Sequence, residues 1–182
     1  GWDSPQLWMG HAAVTTPDAH FVAERLARGG IGQAGVTVGG DAPFRAWIDD
    51  WQMLSTAPGG SDALSALMLS AAGDGFGYEV QLAADGPLVL QGDRGYSVKS
   101  EGGQASHYYS QPFYRLTGRL DLPGGPVEVT GNAWLDREWS SQPLSPDQTG
   151  WDWFSLSFDS GEKLMGFVLR DSGGGFTSGT WI

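Results

Sequence analysis

The feature that most constrains this chain is a period of two in its apolar residues, broken at short intervals by turn-forming pairs. Tyr78–Ala84 is the clearest case: Tyr78, Val80, Leu82 and Ala84 alternate with Glu79, Gln81 and Ala83, and Asp85-Gly86 follows at once. A strand sends successive side chains to opposite faces, so such a run suits a sheet with one buried and one solvated face. Arg115–Leu122 repeats the pattern, with Leu116, Leu120 and Leu122 set against Arg115, Thr117, Arg119 and Asp121, before Pro123-Gly124-Gly125-Pro126. Gln6–Thr15 and Phe21–Ala27 flank Thr16-Pro17-Asp18 as a hairpin. Both faces of its first strand are largely apolar, which predicts a central strand with His11 turned inward. Further strands are expected over Phe44–Leu54, Leu88–Gln91, Val127–Trp139, Trp151–Phe158, Lys163–Arg170 and Phe176–Ile182.

The 29 glycines are scattered through 182 residues without a period, which excludes collagen and supplies many turns. With no internal repeat and no linker-like stretch, the expectation is one all-β domain over residues 1–182. About ten short-linked strands make a barrel or a strongly curved antiparallel sheet. Asp49 and Asp50 are adjacent, so on a strand they would face opposite ways, forming a bulge or a solvated edge and not a catalytic pair. Gly92-Asp93-Arg94-Gly95 lacks the strand–loop–helix setting and the lysine of a phosphate-binding loop.

A net charge of −11 leaves no basic face for nucleic acid or for an anionic membrane surface. No apolar run reaches the length of a spanning helix. There is no cysteine, and His11, His20 and His107 lack metal-ligand spacing, so neither a metal nor a cofactor is expected. The chain starts at Gly1 without a signal peptide and ends on an apolar Trp181-Ile182 pair. It reads as a trimmed or excised piece whose last strand pairs with something further on.

Chemistry concentrates in Gly131–Trp153, which carries Trp134, Trp139, Trp151 and Trp153 among Asp136, Glu138, Asp147 and Asp152. Directed polar groups among large aromatics are the makings of an apolar pocket with a few oriented contacts. Alternation puts Trp134, Asp136 and Glu138 on one face and Arg137 and Trp139 on the other. Asp136 and Glu138 are the candidate catalytic groups. Ser106-His107-Tyr108-Tyr109-Ser110 is a second cluster, with His107 and Tyr109 sharing a face opposite Tyr108. Candidate ligand-binding residues are His11, His107, Tyr109, Trp134, Trp139, Trp151 and Trp153. His11 reads first as a hydrogen-bonded core histidine. The residues alone leave structural core, ligand binding and catalysis open.

AWLDREWSSQP followed by GWDWFSL resembles the AttH-like, hydroxyneurosporene synthase family, which includes carotenoid 1,2-hydratases. QLWMGHAAVTT, ERLARGGIGQAG, FRAWIDDW, LQGDRGYSVKS, ASHYYSQP and FVLRDSGGGFTSGTWI fit the same family in the same order. The resemblance implies a lipocalin-like β-barrel around an apolar cavity, and two such halves in tandem. This chain would be an incomplete first half, lacking its opening strands and the second lipocalin-like domain that would be its partner. It also resolves Ser61–Ala72 as a strand, although Leu64, Leu67, Met68 and Ala71 have helical spacing and Ser61 could cap a helix. The implied partners are an apolar small molecule (a lipid, isoprenoid or polyketide) and a functional link to an ABC transporter. The implied compartment is periplasmic or secreted, with the cytoplasm left open. Hydratase chemistry in the family protonates an alkene and adds water to the resulting cation. Its pattern is Asp-His-x-Trp; Asp136 and Trp139 match, but Arg137, always charged and a poor acid, replaces the histidine. The expectation is therefore an apolar-ligand-binding domain, with a hydratase- or cyclase-type lyase as the alternative.

Overall fold

A computed structural model describes residues 3–39 and 43–182 of the protein. Every regular element among them is a strand, and the sheets are antiparallel. The strands are β1 (Leu7–Thr15), β2 (His20–Arg28), β3 (Ala34–Val38), β4 (Phe44–Ile48), β5 (Trp51–Ser55), β6 (Ala66–Gly73) and β7 (Phe76–Ala84). They continue with β8 (Val89–Leu90), β9 (Tyr96–Val98), β10 (Ala105–Leu122), β11 (Gly125–Trp139), β12 (Gly150–Ser157), β13 (Lys163–Arg170) and β14 (Phe176–Trp181). No helix among the described residues is long and apolar enough to cross a membrane. The chain condenses into two compact units, Gly1–Asp85 with Arg115–Asn132 and Gly86–Tyr114 with Ala133–Ile182.

In the first unit β1 and β2 form a two-stranded hairpin, and β3 to β7 follow one another in a sheet that continues onto β10 and then β11. The core lies between them: Ala12, Val14 and Ala27 of the hairpin meet Ile48, Trp51, Ala71 and Phe76 of the sheet. Close approach is possible because Gly10 has no side chain; a Cβ there would lie 3.0 Å from Ile48 and 3.3 Å from Trp51. Burying Trp51 or Ile48 contributes about 1.5–3 kcal/mol each, and the Trp51 indole keeps its partner by donating to the Ala72 carbonyl at 2.9 Å.

Several expectations change here. The hairpin covers the sheet with Trp8, Gly10, Ala12 and Val14, so β1 is no central strand. His11 points outward, beside Glu24 at 3.7 Å, on a face where Leu7 and Met9 are exposed. An apolar face does not bury itself when no layer lies over it, and alternation alone does not say which face is covered. Asp49 and Asp50 sit in the β4–β5 turn, Asp49 in the left-handed region at φ 54°. Freed from strand geometry, both carboxylates reach Arg25, Asp49 at 3.6 Å, and that guanidinium lies 4.4 Å from the centre of a Trp51 ring. Ser61–Ser65 forms turns, held by Asp62 accepting from Leu64 N at 2.9 Å. From Ala66 the segment is a strand paired on both sides, with β5 and β7; two ladders outweigh helix propensity. β3, the short β9 and the division of Phe44–Leu54 into β4 and β5 bring the strands to more than the ten expected.

The second unit holds β8 and β9, both paired with β10, and the sheet β12–β13–β14. Met165, Phe167 and Leu169, all on one face of β13, pack with Tyr108 in a core flanked by Trp134 and Phe176. The apolar terminus pairs backwards along one edge of β14: Ile182 N donates to Lys163 O and Lys163 N donates to Ile182 O, each at 2.9 Å.

Candidate functional site

The second unit contains a cleft of about 310 Å³ lined by Lys99, Ser106, Tyr108, Glu138, Trp139, Leu144, Trp151, Trp153, Phe167 and Leu169, among others. It arises from three alternating strands. β10 sends Ser106, Tyr108 and Ser110 to one side, β11 sends Trp134, Asp136 and Glu138 to meet them, and β12 supplies Trp151 and Trp153 opposite Leu169 and Phe167 of β13. β12 is not hydrogen-bonded to β11; side-chain packing brings the tryptophans to Glu138.

Beneath the cleft lies a buried polar chain. Gln91, fully buried, donates through Nε2 to Ser110 Oγ at 2.8 Å, and Ser110 donates to Asp136 Oδ1 at 2.5 Å. The same oxygen accepts from Tyr108 at 3.0 Å and from Trp134 Nε1 at 2.9 Å. Tyr108 Oη in turn accepts from Trp153 Nε1 at 3.2 Å. Burial, reinforced by the nearby charge of Asp136, raises the Tyr108 pKa far above the ordinary tyrosine value, so the phenol keeps its proton. Asp136 Oδ1 is thus the shared acceptor of three donors.

Nearer the opening, Glu138 Oε1 accepts from Ser106 at 2.6 Å and from Lys99 Nζ at 2.6 Å. The Lys99 side chain is only 15% exposed, and its ammonium also lies 4.1 Å from the Phe167 ring centre and 5.1 Å from that of Tyr108. A paired ammonium on aromatic faces can be retained in an apolar setting that would expel a bare charge.

The sequence-predicted residues divide by face. Trp134, Asp136, Glu138, Trp151 and Trp153 come together in this unit as alternation requires. Arg137 turns away, its guanidinium 5.1 Å from the Trp139 ring centre. His107 and Tyr109 lie on the outer face of β10, where they contact Trp139 at centroid distances of 5.4 and 6.1 Å. Trp139, at the end of β11, touches this outer cluster and the cleft. His11 belongs to the first unit. Ser106, Tyr108 and Ser110 belong to the second cluster but not to the candidate ligand-binding residues, and Lys99 and Gln91 were not singled out. The hydroxyl–x–Tyr–x–hydroxyl alternation of Ser106, Tyr108 and Ser110 is legible in the sequence, whereas nothing local marks Lys99 or Gln91.

The sequence pattern of the AttH-like family matches residues 1–182. The chain belongs to the AttH-like family. This AttH-like chain superposes on the crystal structure of a Nitrosomonas europaea protein provisionally designated AttH, with TM-score 0.83 and 31% identity. The match covers 96% of this chain and 53% of that one. Kievitone hydratase from Nectria haematococca matches with TM-score 0.70 over 98% of this chain and 52% of that one, and at 17% identity the likeness is one of fold. The AttH-like chain therefore spans about half the length of either solved structure. No curated protein matches it in sequence.

Proposed function

We propose that the second unit of this AttH-like chain binds an apolar small molecule in the tryptophan-lined cleft. The observation that carries this reading is the coexistence of exposed indoles, Trp151 at 57% and Trp153 at 40%, with a cleft whose polar groups are already hydrogen-bonded to one another. Apolar surface left open over a satisfied polar floor gains free energy when an apolar body covers it. We take Asp136 and Glu138 as acceptors that hold Tyr108, Ser110, Trp134, Ser106 and Lys99 in place, and not as the proton donors of an alkene hydration. Ligand contacts are assigned to Trp139, Trp151 and Trp153, with Trp134 supporting Asp136; His107, Tyr109 and His11 lie off the cleft.

The test is titration of the full chain with diphenylhexatriene, an uncharged apolar fluorophore, read by energy transfer from tryptophan. Saturable binding is expected. Trp151→Ala should weaken it about fivefold to thirtyfold, the loss of one aromatic wall of about 1–2 kcal/mol. Leu7→Ala, which alters an even more exposed apolar residue in the other unit, should leave it unchanged. Absence of saturable binding, or equal effects of the two substitutions, refutes the proposal.

A further inference from the structure

The hydrogen-bond groups that line the cleft around Glu138 are one-sided. Each hydroxyl that lines it directs its proton into the protein: Ser106 to Glu138 at 2.6 Å, Tyr108 to Asp136 at 3.0 Å and Ser140 to the Ala105 carbonyl at 2.8 Å. The Trp153 N–H is held by Tyr108. The ammonium of Lys99 has a carboxylate oxygen and two ring faces around it, partners enough for its three hydrogens. What remains is acceptor capacity. Tyr108 Oη and Ser106 Oγ keep lone pairs, and Lys99 and Ser106 both use Glu138 Oε1, which leaves Oε2 of a side chain 42% exposed. The other polar donors on the wall are neutral: the indole N–H groups of Trp139 and Trp151, and the amides of Gln104 and Gln142, whose Oε1 atoms serve Ser100 and the Ala105 N–H. They offer no charge to offset the desolvation of an anion.

We infer that the ligand's polar end is a hydrogen-bond donor, an alcohol or phenol, placed against Glu138 and Tyr108, and that apolar carboxylic acids are rejected. This inference rests on the proposed reading of the cleft as an apolar-ligand site. The aliphatic or aromatic body would lie along Trp139, Trp151, Trp153 and Leu169. A hydroxyl here finds an anionic acceptor, one of the stronger hydrogen bonds. A carboxylate in the same place meets Glu138 as a like charge, and the cation at hand, Lys99, is already paired with Glu138 at 2.6 Å in a chain of net charge −11. Selectivity then comes from repulsion of the wrong head group as much as from attraction of the right one.

Three probes of one shape test it on the full chain: farnesol, farnesyl methyl ether and farnesoic acid, titrated at neutral pH by tryptophan fluorescence. Farnesol is expected to bind on the order of tenfold to hundredfold more tightly than the ether or the acid, the range for a hydrogen bond to a charged acceptor. Glu138→Gln, which replaces the anionic acceptor by an amide carrying its own donor, should narrow the alcohol–acid gap to within about threefold. The wild-type comparison carries the test if that variant does not fold. Equal binding of alcohol and ether, or acid binding as tightly as alcohol, overturns the inference and leaves the apolar cleft standing. So does binding of diphenylhexatriene without binding of farnesol. If none of the four probes binds, the cleft reading itself fails.

Discussion

Replacing Asp136 by leucine tests the polar chain under the cleft. Leucine is close to aspartate in size and has no acceptor, so the three donors now on Oδ1 lose their partner: Tyr108 at 3.0 Å, Ser110 at 2.5 Å and Trp134 at 2.9 Å. Ser110 has a second choice. Gln91 already donates to it, and Gln91 Oε1 is buried without a partner, so a turn of that amide would offer the hydroxyl an acceptor. Tyr108, 3% exposed, and the half-buried Trp134 have no such alternative. Two stranded donors at about 1–3 kcal/mol each, partly offset by removing a desolvated carboxylate, predict a loss of about 2–5 kcal/mol. Asp136→Asn keeps an acceptor oxygen at the same place and should lose about 1–2 kcal/mol. The assay is urea unfolding followed by far-UV circular dichroism and tryptophan fluorescence, with the slope unchanged as the sign that stability alone moved. A leucine variant within about 1 kcal/mol of wild type, or an asparagine variant less stable than leucine, would refute the acceptor argument.

Tyr108 gives an alkaline signature. Its folded pKa lies above its unfolded value, so its contribution is fully present below about pH 10 and is lost as the pH rises beyond that, when the unfolded chain releases a proton that the folded one keeps. Tyr108→Phe should flatten this part of the stability profile, and tyrosinate absorbance in the wild type should show late ionisation that accompanies unfolding, shared with Tyr78, whose phenol is also pushed up by burial. A second prediction concerns the turn between β8 and β9. Gly92 has φ 63°, and a Cβ there would lie 2.3 Å from the Tyr96 carbonyl oxygen. Gly92→Ala should therefore cost about 1–3 kcal/mol; an unchanged melting temperature would show that the turn relaxes freely.

How much was legible follows from how local each cause is. The face shared by Trp134, Asp136 and Glu138 was readable because pleating is a property of one strand and needs no neighbour. So was the opposite placing of Tyr108 and of the His107–Tyr109 pair. Which of those two faces lines the cleft was not, because nothing in Ser106–Ser110 says where Phe167 and Leu169, more than fifty residues later, will pack. The preference for His107 and Tyr109 rested on side-chain chemistry, and the cleft took Ser106 and the other tyrosine. His11 followed the same logic: the strand was read correctly and its covered face was not.

Sequence alone determined the strands, most turn positions, the alternation of faces and, through its motifs, membership of the AttH-like family. The first three depend on neighbours one to four positions apart along the chain. Tertiary structure decided three other things. It let β6 escape a helical propensity, because ladders to β5 and β7 satisfied its backbone on both sides. It gathered Arg25, Asp49 and Asp50 into one ion cluster through a turn. It set Lys99 against Glu138 and two aromatic rings, which turned an isolated cation into the buried partner of a cleft carboxylate. Each of these depends on which residues meet across space, and the low dielectric and close packing that give such contacts their energy exist only once the sheets have come together.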